Sequence, residues 1–152
     1  MKYDVIIASV QVFNNEDFGM SVKCTLKKPI EGITVDKDGT RVRGNVDYLS
    51  FGLSTLTKAL CQNSEEISVF RSAIGRKFDG KELSLLLIGA TLTLDRTFVE
   101  EGDTFKRGEE EVTADHDMFL TDILGYRPSI LTEKMLNKVL DTILLDSLTK
   151  AN

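Results

Sequence analysis

Alternating apolar and polar positions in the first part of the chain predict β-hairpins. Residues 3–13 (YDVIIASVQVF) are rich in β-branched side chains, and residues 18–26 alternate, as expected of two strands with one face in water. The polar residues 14–17 between them predict a turn. Pro29 is expected to end the second strand, because proline cannot donate a hydrogen bond to a neighbouring strand. Strands at 33–35 and 40–43 predict a second hairpin, with Asp-Gly at residues 38–39 in its turn.

The spacing of apolar residues changes after Gly44 and predicts two helices. Intervals of four, three and four residues place four leucines on one face of a helix over residues 46–61, namely Leu49, Leu53, Leu56 and Leu60. Asn63 followed by Glu66 is typical of a capping box, so we expect a short second helix to begin there. Gly75 stands where that helix would end.

Residues 83–105 (LSLLLIGATLTLDRTFVEEGDTF) join an apolar run to a strict alternation at a Gly-Ala pair. The run predicts a strand buried on both faces, and the alternation through Leu92 and Leu94 predicts that one face then returns to water. We therefore expect one long, bent strand, preceded by a turn at residues 78–81. Gly102 and Asp103 predict another turn, followed by an exposed strand or loop over residues 104–112.

An amphipathic helix is predicted over about residues 130–150, after Pro128. Its broad apolar face consists of Leu131, Met135, Leu136, Val139, Leu140, Ile143, Leu144 and Leu148. Such a face must be covered, either by the rest of the chain or by a partner. The sequence shows no repeat or linker that would divide it, so we expect a single domain over residues 1–152, with a barrel core over about 1–120.

The predicted order of strands, then a helix, then closing strands resembles the OB-fold, a small Greek-key barrel. The segment GATLTLDRTFVEEGDTF is also similar to the closing strands of single-stranded DNA-binding proteins of phage or plasmid type. The resemblance implies an α+β fold with a small antiparallel β-barrel and two or three helices. It also implies a groove that follows the backbone of a single strand and stacks bases on aromatic rings. The chain departs from those proteins in having no tryptophan and a C-terminal helix instead of an acidic tail.

Charge is unevenly distributed along the chain. The net charge of −5 and the pI of about 5.0 argue against a basic coat for duplex nucleic acid. Acidic residues concentrate between residues 100 and 117, whereas basic residues gather elsewhere, so local charge can differ in sign from net charge. A local basic groove is therefore compatible with the composition.

Two basic sets are candidate phosphate contacts. Arg41 and Arg43 share one side of a predicted strand, and Lys23, Lys27 and Lys28 belong to an adjoining strand. We include Tyr48 with these cations as a ring on which a base could stack, and Tyr3, Phe13 and Phe51 are further candidates for stacking. The second set is Arg71, Arg76 and Lys77, between Phe70 and Phe78. The alternative interpretation is structural for both sets: solvated surface charge for the first, and cations suited to a helix C-terminus for the second.

Other chemistry lacks a defined pattern in this sequence. There is no Gly-x-Ser-x-Gly elbow and no glycine-rich phosphate loop, and His116 among flexible carboxylates gives no metal-ligand spacing. Cys24 and Cys61 fall on apolar faces and are expected to be unreactive core residues. We therefore expect a protein that is not an enzyme and that needs neither metal nor cofactor.

No apolar run could span a bilayer and no export signal is recognised, so a reduced, cytoplasmic protein without membrane contact is expected.

Two functional hypotheses follow. The first is a non-catalytic protein that binds single-stranded nucleic acid through a basic groove and aromatic stacking. The second is a structural or adaptor protein that assembles into a homo-oligomer through its C-terminal helix.

Overall fold

Seven strands and four helices form the part of the chain that the computed structural model describes. This part is residues 1–16 and 19–150, without the side chains of residues 15 and 146–150. In chain order the elements are β1 (Lys2–Asn15), β2 (Gly19–Val35), β3 (Arg41–Gly52), α1 (Leu53–Asn63), α2 (Glu65–Ile74), α3 (Gly80–Leu87), β4 (Thr91–Val99), β5 (Thr104–Arg107), β6 (Glu110–Thr113), β7 (Met118–Arg127) and α4 (Ile130–Lys150). The predicted α+β class is confirmed, with four helices in place of two or three. Asp17 of the predicted first turn and Phe18 of the predicted second strand lie outside the described residues.

Five strands form one antiparallel sheet in the order β3-β2-β1-β4-β7, and β5 with β6 forms a separate hairpin. β1 joins the two halves of the sheet, because residues 2–6 pair with β4 and residues 7–15 pair with β2. Bulges interrupt β1 between Ile7 and Ser9 and β2 between Thr25 and Ile30, and such bulges bend a sheet. In the described part of the chain, β3 and β7 are sheet edges that do not pair with each other. The expected closed barrel is thus not found.

Pro29 does not end the second strand, contrary to the prediction. It lies in the bulge between Thr25 and Ile30, where β2 has no paired residue on β3. The missing N–H of proline therefore breaks no ladder hydrogen bond there. The turn between β2 and β3 is confirmed, since the Asp36 carboxylate accepts the N–H groups of Asp38 and Thr40 at 2.9 Å.

Only the second half of the helix predicted over residues 46–61 is helical. β3 continues to Gly52, and α1 begins at Leu53. Leu49 is buried from the strand, opposite Cys24, while the other leucines of the pattern are buried from the helix. The three intervals fit a helix because a strand and the helix that follows it direct their leucines to the same core.

The second helix, α2, begins one residue later than predicted. Ser64, not Asn63, is its N-cap, and the Ser64 hydroxyl accepts the N–H of Ile67 at 3.2 Å. The Asn63 amide instead donates to the carbonyl of Ala59 at 2.8 Å. Gly75 ends the helix in the left-handed conformation, as predicted.

The long strand predicted over residues 83–105 is wrong in its first half. The Asp79 carboxylate accepts the N–H of Glu82, and the Glu82 carboxylate accepts the N–H of Asp79. This capping box begins α3 at the predicted turn, and Leu83, Leu86 and Leu87 are then buried at helical spacing. The Gly-Ala pair is the junction from α3 to β4. The alternation beyond it is confirmed as a strand, and the turn at residues 102–103 is confirmed as well.

The helices cover only one end of the sheet. The core joins Val22, Cys24 and Leu26 of β2 and Leu92 and Leu94 of β4 to the buried leucines of α1 and α3. Residues 30–35 of β2, which lie beyond the bulge, contribute no side chain to the fully buried part of this core, although Gly32 is itself buried within the strand. The half of the sheet beyond the bulge is therefore not covered by the helices.

The C-terminal helix is confirmed over Ile130–Lys150, and its predicted apolar face is only partly covered. Leu136 is buried, whereas Leu131 is 77% exposed and Leu144 is 61% exposed. The side chain of Leu148, which also belongs to the predicted face, lies outside the described side chains. Among the described residues, no helix is sufficiently long and apolar to cross a membrane.

Candidate nucleic-acid interface

One face of β4 changes from apolar to basic and aromatic along its length. Leu92, Leu94, Arg96 and Phe98 share this face because side chains alternate along a strand. The two leucines are fully buried, Arg96 is 7% exposed, and Phe98 is half-buried. The same side of one strand thus contributes to the core and then to the open half of the sheet.

The Arg96 guanidinium connects four strands. Its Nε donates to the Thr121 hydroxyl on β7 at 3.1 Å, and its Nη1 donates to the Tyr3 hydroxyl on β1 at 2.9 Å. Nη1 also donates to the Glu31 carbonyl on β2. A buried charge would be costly without such partners. These bonds hold the guanidinium plane in place and tie the two halves of the curled sheet together.

Two phenylalanines and two arginines pack together beside this network. The rings of Phe98 and Phe119 are 5.3 Å apart between centroids. The Arg96 guanidinium carbon lies 4.4 Å from the Phe119 centroid, and that of Arg43 lies 4.2 Å from the Phe98 centroid. We call Arg43, Arg96, Phe98 and Phe119 the Arg-Phe cluster. Contacts of this kind are attractive because the ring face carries partial negative charge.

The Arg-Phe cluster lines a cleft between the β2–β3 arm and the β4–β7 edge. A cavity of about 540 Å³ includes the whole cluster together with Tyr3 and Glu31. A neighbouring cavity of about 370 Å³ shares Arg96 and Phe119 with it and extends along β3 past Arg41, Tyr48 and Ser50. Because the two cavities share these side chains, we treat them as one feature, called the cleft.

β3 supplies the basic edge of the cleft. Arg41 and Arg43 pair with Val35 and Ile33, so they share one face, as predicted. The Arg43 guanidinium also forms a 2.5 Å ion pair with the Glu31 carboxylate. Both side chains of this pair are about half exposed, so solvent screens the pair and a competing anion can reach Arg43.

Three of the nine predicted site residues line the cleft, and a fourth contacts one of them. Arg41, Arg43 and Tyr48 line it, and the Lys23 ammonium lies 4.7 Å from the centre of the Tyr48 ring. Tyr3, a further stacking candidate, lines it too. Phe51 instead packs against the core, and Phe13 is not among the residues that line the cleft.

The other five predicted residues lie elsewhere. Lys27 and Lys28 are exposed on the β2 bulge and line neither cavity of the cleft, because the extra residues of the bulge break the regular alternation that the prediction used. Arg76 forms a 2.6 Å ion pair with Glu82, which completes the capping box of α3, and this favours the structural interpretation for this arginine. Arg71 and Lys77 line a separate cavity beside α1.

Arg96, Phe98 and Phe119 line the cleft but are not among the residues predicted from the sequence. Arg96 had a usable signal, because it occupies an apolar position in the alternation after Leu92 and Leu94. Phe98 continues that same alternation. Phe119 had no comparable signal. Its position beside Phe98 depends on the pairing of β4 with β7, which are separated in the sequence by the β5–β6 hairpin.

Neither cysteine lines the cleft, and burial raises the pKa of both thiols. The pKa of Cys24 rises to about 12 for this reason. Burial also raises the pKa of Cys61, and the nearby Arg71 charge lowers it in part. A raised pKa means little reactive thiolate at neutral pH, which fits the predicted core role. Among the described residues, no three His, Cys, Asp or Glu side chains are grouped closely enough to hold a metal ion.

The cleft offers aromatic faces, guanidinium N–H donors and a half-exposed basic edge. Flat rings accept stacked planar groups, and arginine suits phosphate oxygens because its N–H groups form a planar fork. The arrangement therefore suits a ligand that is both planar and anionic. In comparisons with protein families, curated proteins and solved structures, the chain has no match.

Proposed function

We propose that this protein binds single-stranded nucleic acid in the cleft, without catalysing a reaction. The observation that carries the proposal is the Arg-Phe cluster, in which two guanidinium groups lie against a pair of phenylalanine rings beside Tyr3. Proteins that bind single strands combine cations for the backbone with aromatic rings for the bases. Stacking is worth about 1–3 kcal/mol per base and tolerates any base, so the proposal covers both DNA and RNA.

The order of the elements supports this proposal. β1 pairs with both β2 and β4, the helices α1 to α3 lie between the third and fourth strands, and β7 follows on the far side of β4. An OB-fold is a five-stranded, partly open Greek-key barrel that binds oligonucleotides across its second and third strands. We propose that the sheet is a partly open barrel of this type, with β5 and β6 inserted before its last strand. A phage or plasmid origin and a cytoplasmic location are parts of the same proposal.

The acidic net charge does not oppose the proposal at the cleft. Arg41, Arg43 and Arg96 contribute three positive charges there, against the carboxylates of Glu31 and Asp117. Asp117 is engaged by the N–H of Glu101 at 2.8 Å. Incoming phosphate can replace the Glu31 carboxylate at Arg43, since both partners are half exposed.

Binding of a labelled oligonucleotide under varied salt tests the proposal. The probe is a fluorescein-labelled oligo(dT) of about 16 nucleotides, the upper range for one OB-fold, and the readout is polarisation. We expect binding at low salt that weakens steeply as salt rises, because bound cations release counterions. Arg41→Gln with Arg43→Gln should weaken binding at least tenfold and reduce the salt slope by about 1.4, at about 0.7 per lost phosphate contact.

Lys27→Gln with Lys28→Gln is the matched control, since it removes the same charge outside the cleft. We expect this control to bind like the unchanged protein. No binding at low salt, or equal losses in the two double variants, would contradict the proposal.

A second candidate function is self-assembly through α4, and the exposed leucines of that helix favour it. Leu131 and Leu144 are exposed although both belong to the predicted apolar face. Sedimentation equilibrium of the intact protein tests this candidate. An oligomer that Leu131→Asp with Leu144→Asp converts to a folded monomer would support it, and a monomer at all concentrations would exclude it.

A further inference from the structure

A second basic cavity lies on the helical side of the molecule, outside the cleft. Its volume is about 250 Å³, and it is lined by three cations, two hydroxyl residues and Leu53. The cations are Lys58, Arg71 and Lys77, and the hydroxyls are those of Ser54 and Thr57. The lining includes no acidic residue and no aromatic ring. This composition suits a small anion and not a stacked base.

The three cations come from different elements with fixed backbones. Lys58 belongs to α1 and Arg71 to the last turn of α2. Lys77 stands between Gly75, whose N–H donates to the Arg71 carbonyl, and Phe78, which is 2% exposed in the core. The rings of Phe70 and Phe78 stack at 5.8 Å and join α2 to this turn. The backbone around the cavity is therefore organised without a ligand.

These three cations lack the carboxylate partners that other basic residues of the chain have. Arg43 and Arg76 are each paired with a carboxylate. Within the described part of the chain, Lys58, Arg71 and Lys77 have no such ion pair. Cations gathered without a counter-charge repel one another, and an anion relieves that repulsion.

The cavity also lies next to the end of the cleft. Ser50 lines the cleft and Leu53 lines this cavity. Three extended residues reach at most about 11 Å, so these two lining residues lie within that distance of each other at the end of β3. This distance is short enough for one bound strand to extend from the cleft to this cavity.

We propose that the cavity of Lys58, Arg71 and Lys77 is a phosphate subsite for the nucleic-acid strand that leaves the cleft along β3. This inference rests on the proposed function. The lysines supply mobile point charges, the arginine supplies paired N–H donors, and the two hydroxyls supply further donors to phosphate oxygens. The subsite binds backbone and not base, so it extends the length of strand that is bound and adds no sequence preference.

The length dependence of binding tests the subsite. The probes are labelled oligo(dT) of about 4 and about 16 nucleotides, the two ends of the range for one OB-fold. Lys58→Gln with Lys77→Gln should weaken binding of the long probe about tenfold and lower its salt slope by about 1.4. The short probe, which fills only the cleft, should bind this variant and the unchanged protein equally. Lys27→Gln with Lys28→Gln, which removes the same charge, should change neither.

The outcomes separate the subsite from the function on which it rests. If the unchanged protein binds both probes and the Lys58/Lys77 variant binds the long one equally well, the subsite is wrong and the cleft proposal stands. If the unchanged protein binds neither probe, the proposed function fails and the subsite on its strand fails with it. Amide chemical shifts of Ser54 and Thr57 on addition of inorganic phosphate, with chloride as the ionic control, then show whether a plain anion site remains.

Discussion

The side chains of the same sheet are apolar at one end and basic or aromatic at the other. At the helix-covered end, β2 and β4 contribute Cys24, Leu92 and Leu94 to a core in which each of these side chains is fully buried. At the open end, β4 contributes Arg96 and Phe98, and β3 contributes Arg43. A strand face that must be covered by protein is apolar, whereas this face becomes basic where the helices stop. The open end therefore does not continue the apolar core, and a polar ligand there is what the proposed function requires.

The largest expected contrast is in the reactivity of a thiol at the covered end. Burial raises the Cys24 pKa from its ordinary 9.0 to about 12. The reactive thiolate forms only as pH rises through the pKa, so at pH 8 its population is about a thousandfold below that of an ordinary thiol. We expect iodoacetamide to alkylate the half-buried Cys61 first, as read by mass spectrometry of the native protein. Equal labelling of the two cysteines would mean that the covered end is not closed.

The next effect is on folding stability, and it separates the two ends directly. Leu86→Ala removes a fully buried side chain of α3, and such changes cost about 2–5 kcal/mol of unfolding free energy. Urea denaturation measures the loss, with Leu124→Ala as control because Leu124, on β7, is 45% exposed. Oligonucleotide affinity should not change while Leu86→Ala remains folded. A loss of affinity in the folded variant would show that the two ends are coupled.

Arg96 stands at the boundary between the two ends, so its replacement should affect both properties. Arg96→Leu leaves the Tyr3 hydroxyl, the Thr121 hydroxyl and the Glu31 carbonyl without their donor, at about 1–3 kcal/mol for each group that stays buried and unpaired. It also removes one cation of the cleft. We expect lower stability by urea denaturation and weaker oligonucleotide binding by polarisation.

Arg96→Lys separates the contribution of the charge from that of the hydrogen-bond geometry. Lysine keeps the charge but cannot reproduce the planar fork that reaches β1, β2 and β7 together. We expect this variant to lose stability nearly as much as Arg96→Leu while its salt slope stays close to that of the unchanged protein. Full stability with lysine would mean that charge alone, and not the hydrogen-bond geometry, holds the halves of the sheet together.

Removing an aromatic ring at the open end should weaken oligonucleotide binding with little effect on the core. Phe119→Ala should weaken oligonucleotide binding by about 1–3 kcal/mol, the value for one stacked base. Phe105→Ala is the matched control, because Phe105 lies on the β5–β6 hairpin and lines neither cavity of the cleft. Equal affinities of the two variants would show that bases do not stack on the cluster.

The sequence predicted local structure well where one element determined it and less well where elements meet. The Asp36 to Gly39 turn, the Gly75 cap and the alternation of β4 each depend on neighbouring residues, and all three are confirmed. The run from Leu83 to Leu87 is short and apolar, so its pattern fits a buried strand as well as a buried helix, and the capping box at Asp79 makes it a helix.

The same distinction applies to the candidate site. The shared face of Arg41 and Arg43 follows from alternation and could be predicted. The position of Phe119 beside Phe98 follows from the register of β4 with β7, and the contact of Arg43 with Phe98 follows from the bend of the sheet at its bulges. Neither has a local signature. The cleft is thus a tertiary feature, of which the sequence showed one edge.

The smallest expected effect concerns the outer rim of the open end. Lys23 reaches the cleft only through Tyr48, a residue that is 42% exposed, and a cation over an exposed ring is worth about 0.5–1 kcal/mol. Lys23→Gln should therefore weaken oligonucleotide binding about two- to fivefold, less than Phe119→Ala, and Lys28→Gln is the control for charge. An effect as large as that of Phe119→Ala would place Lys23 in direct contact with the strand and move the binding surface outward from the cleft. Unchanged affinity in Lys23→Gln would mean that the binding surface is confined to the face of β3 that carries Arg41 and Arg43.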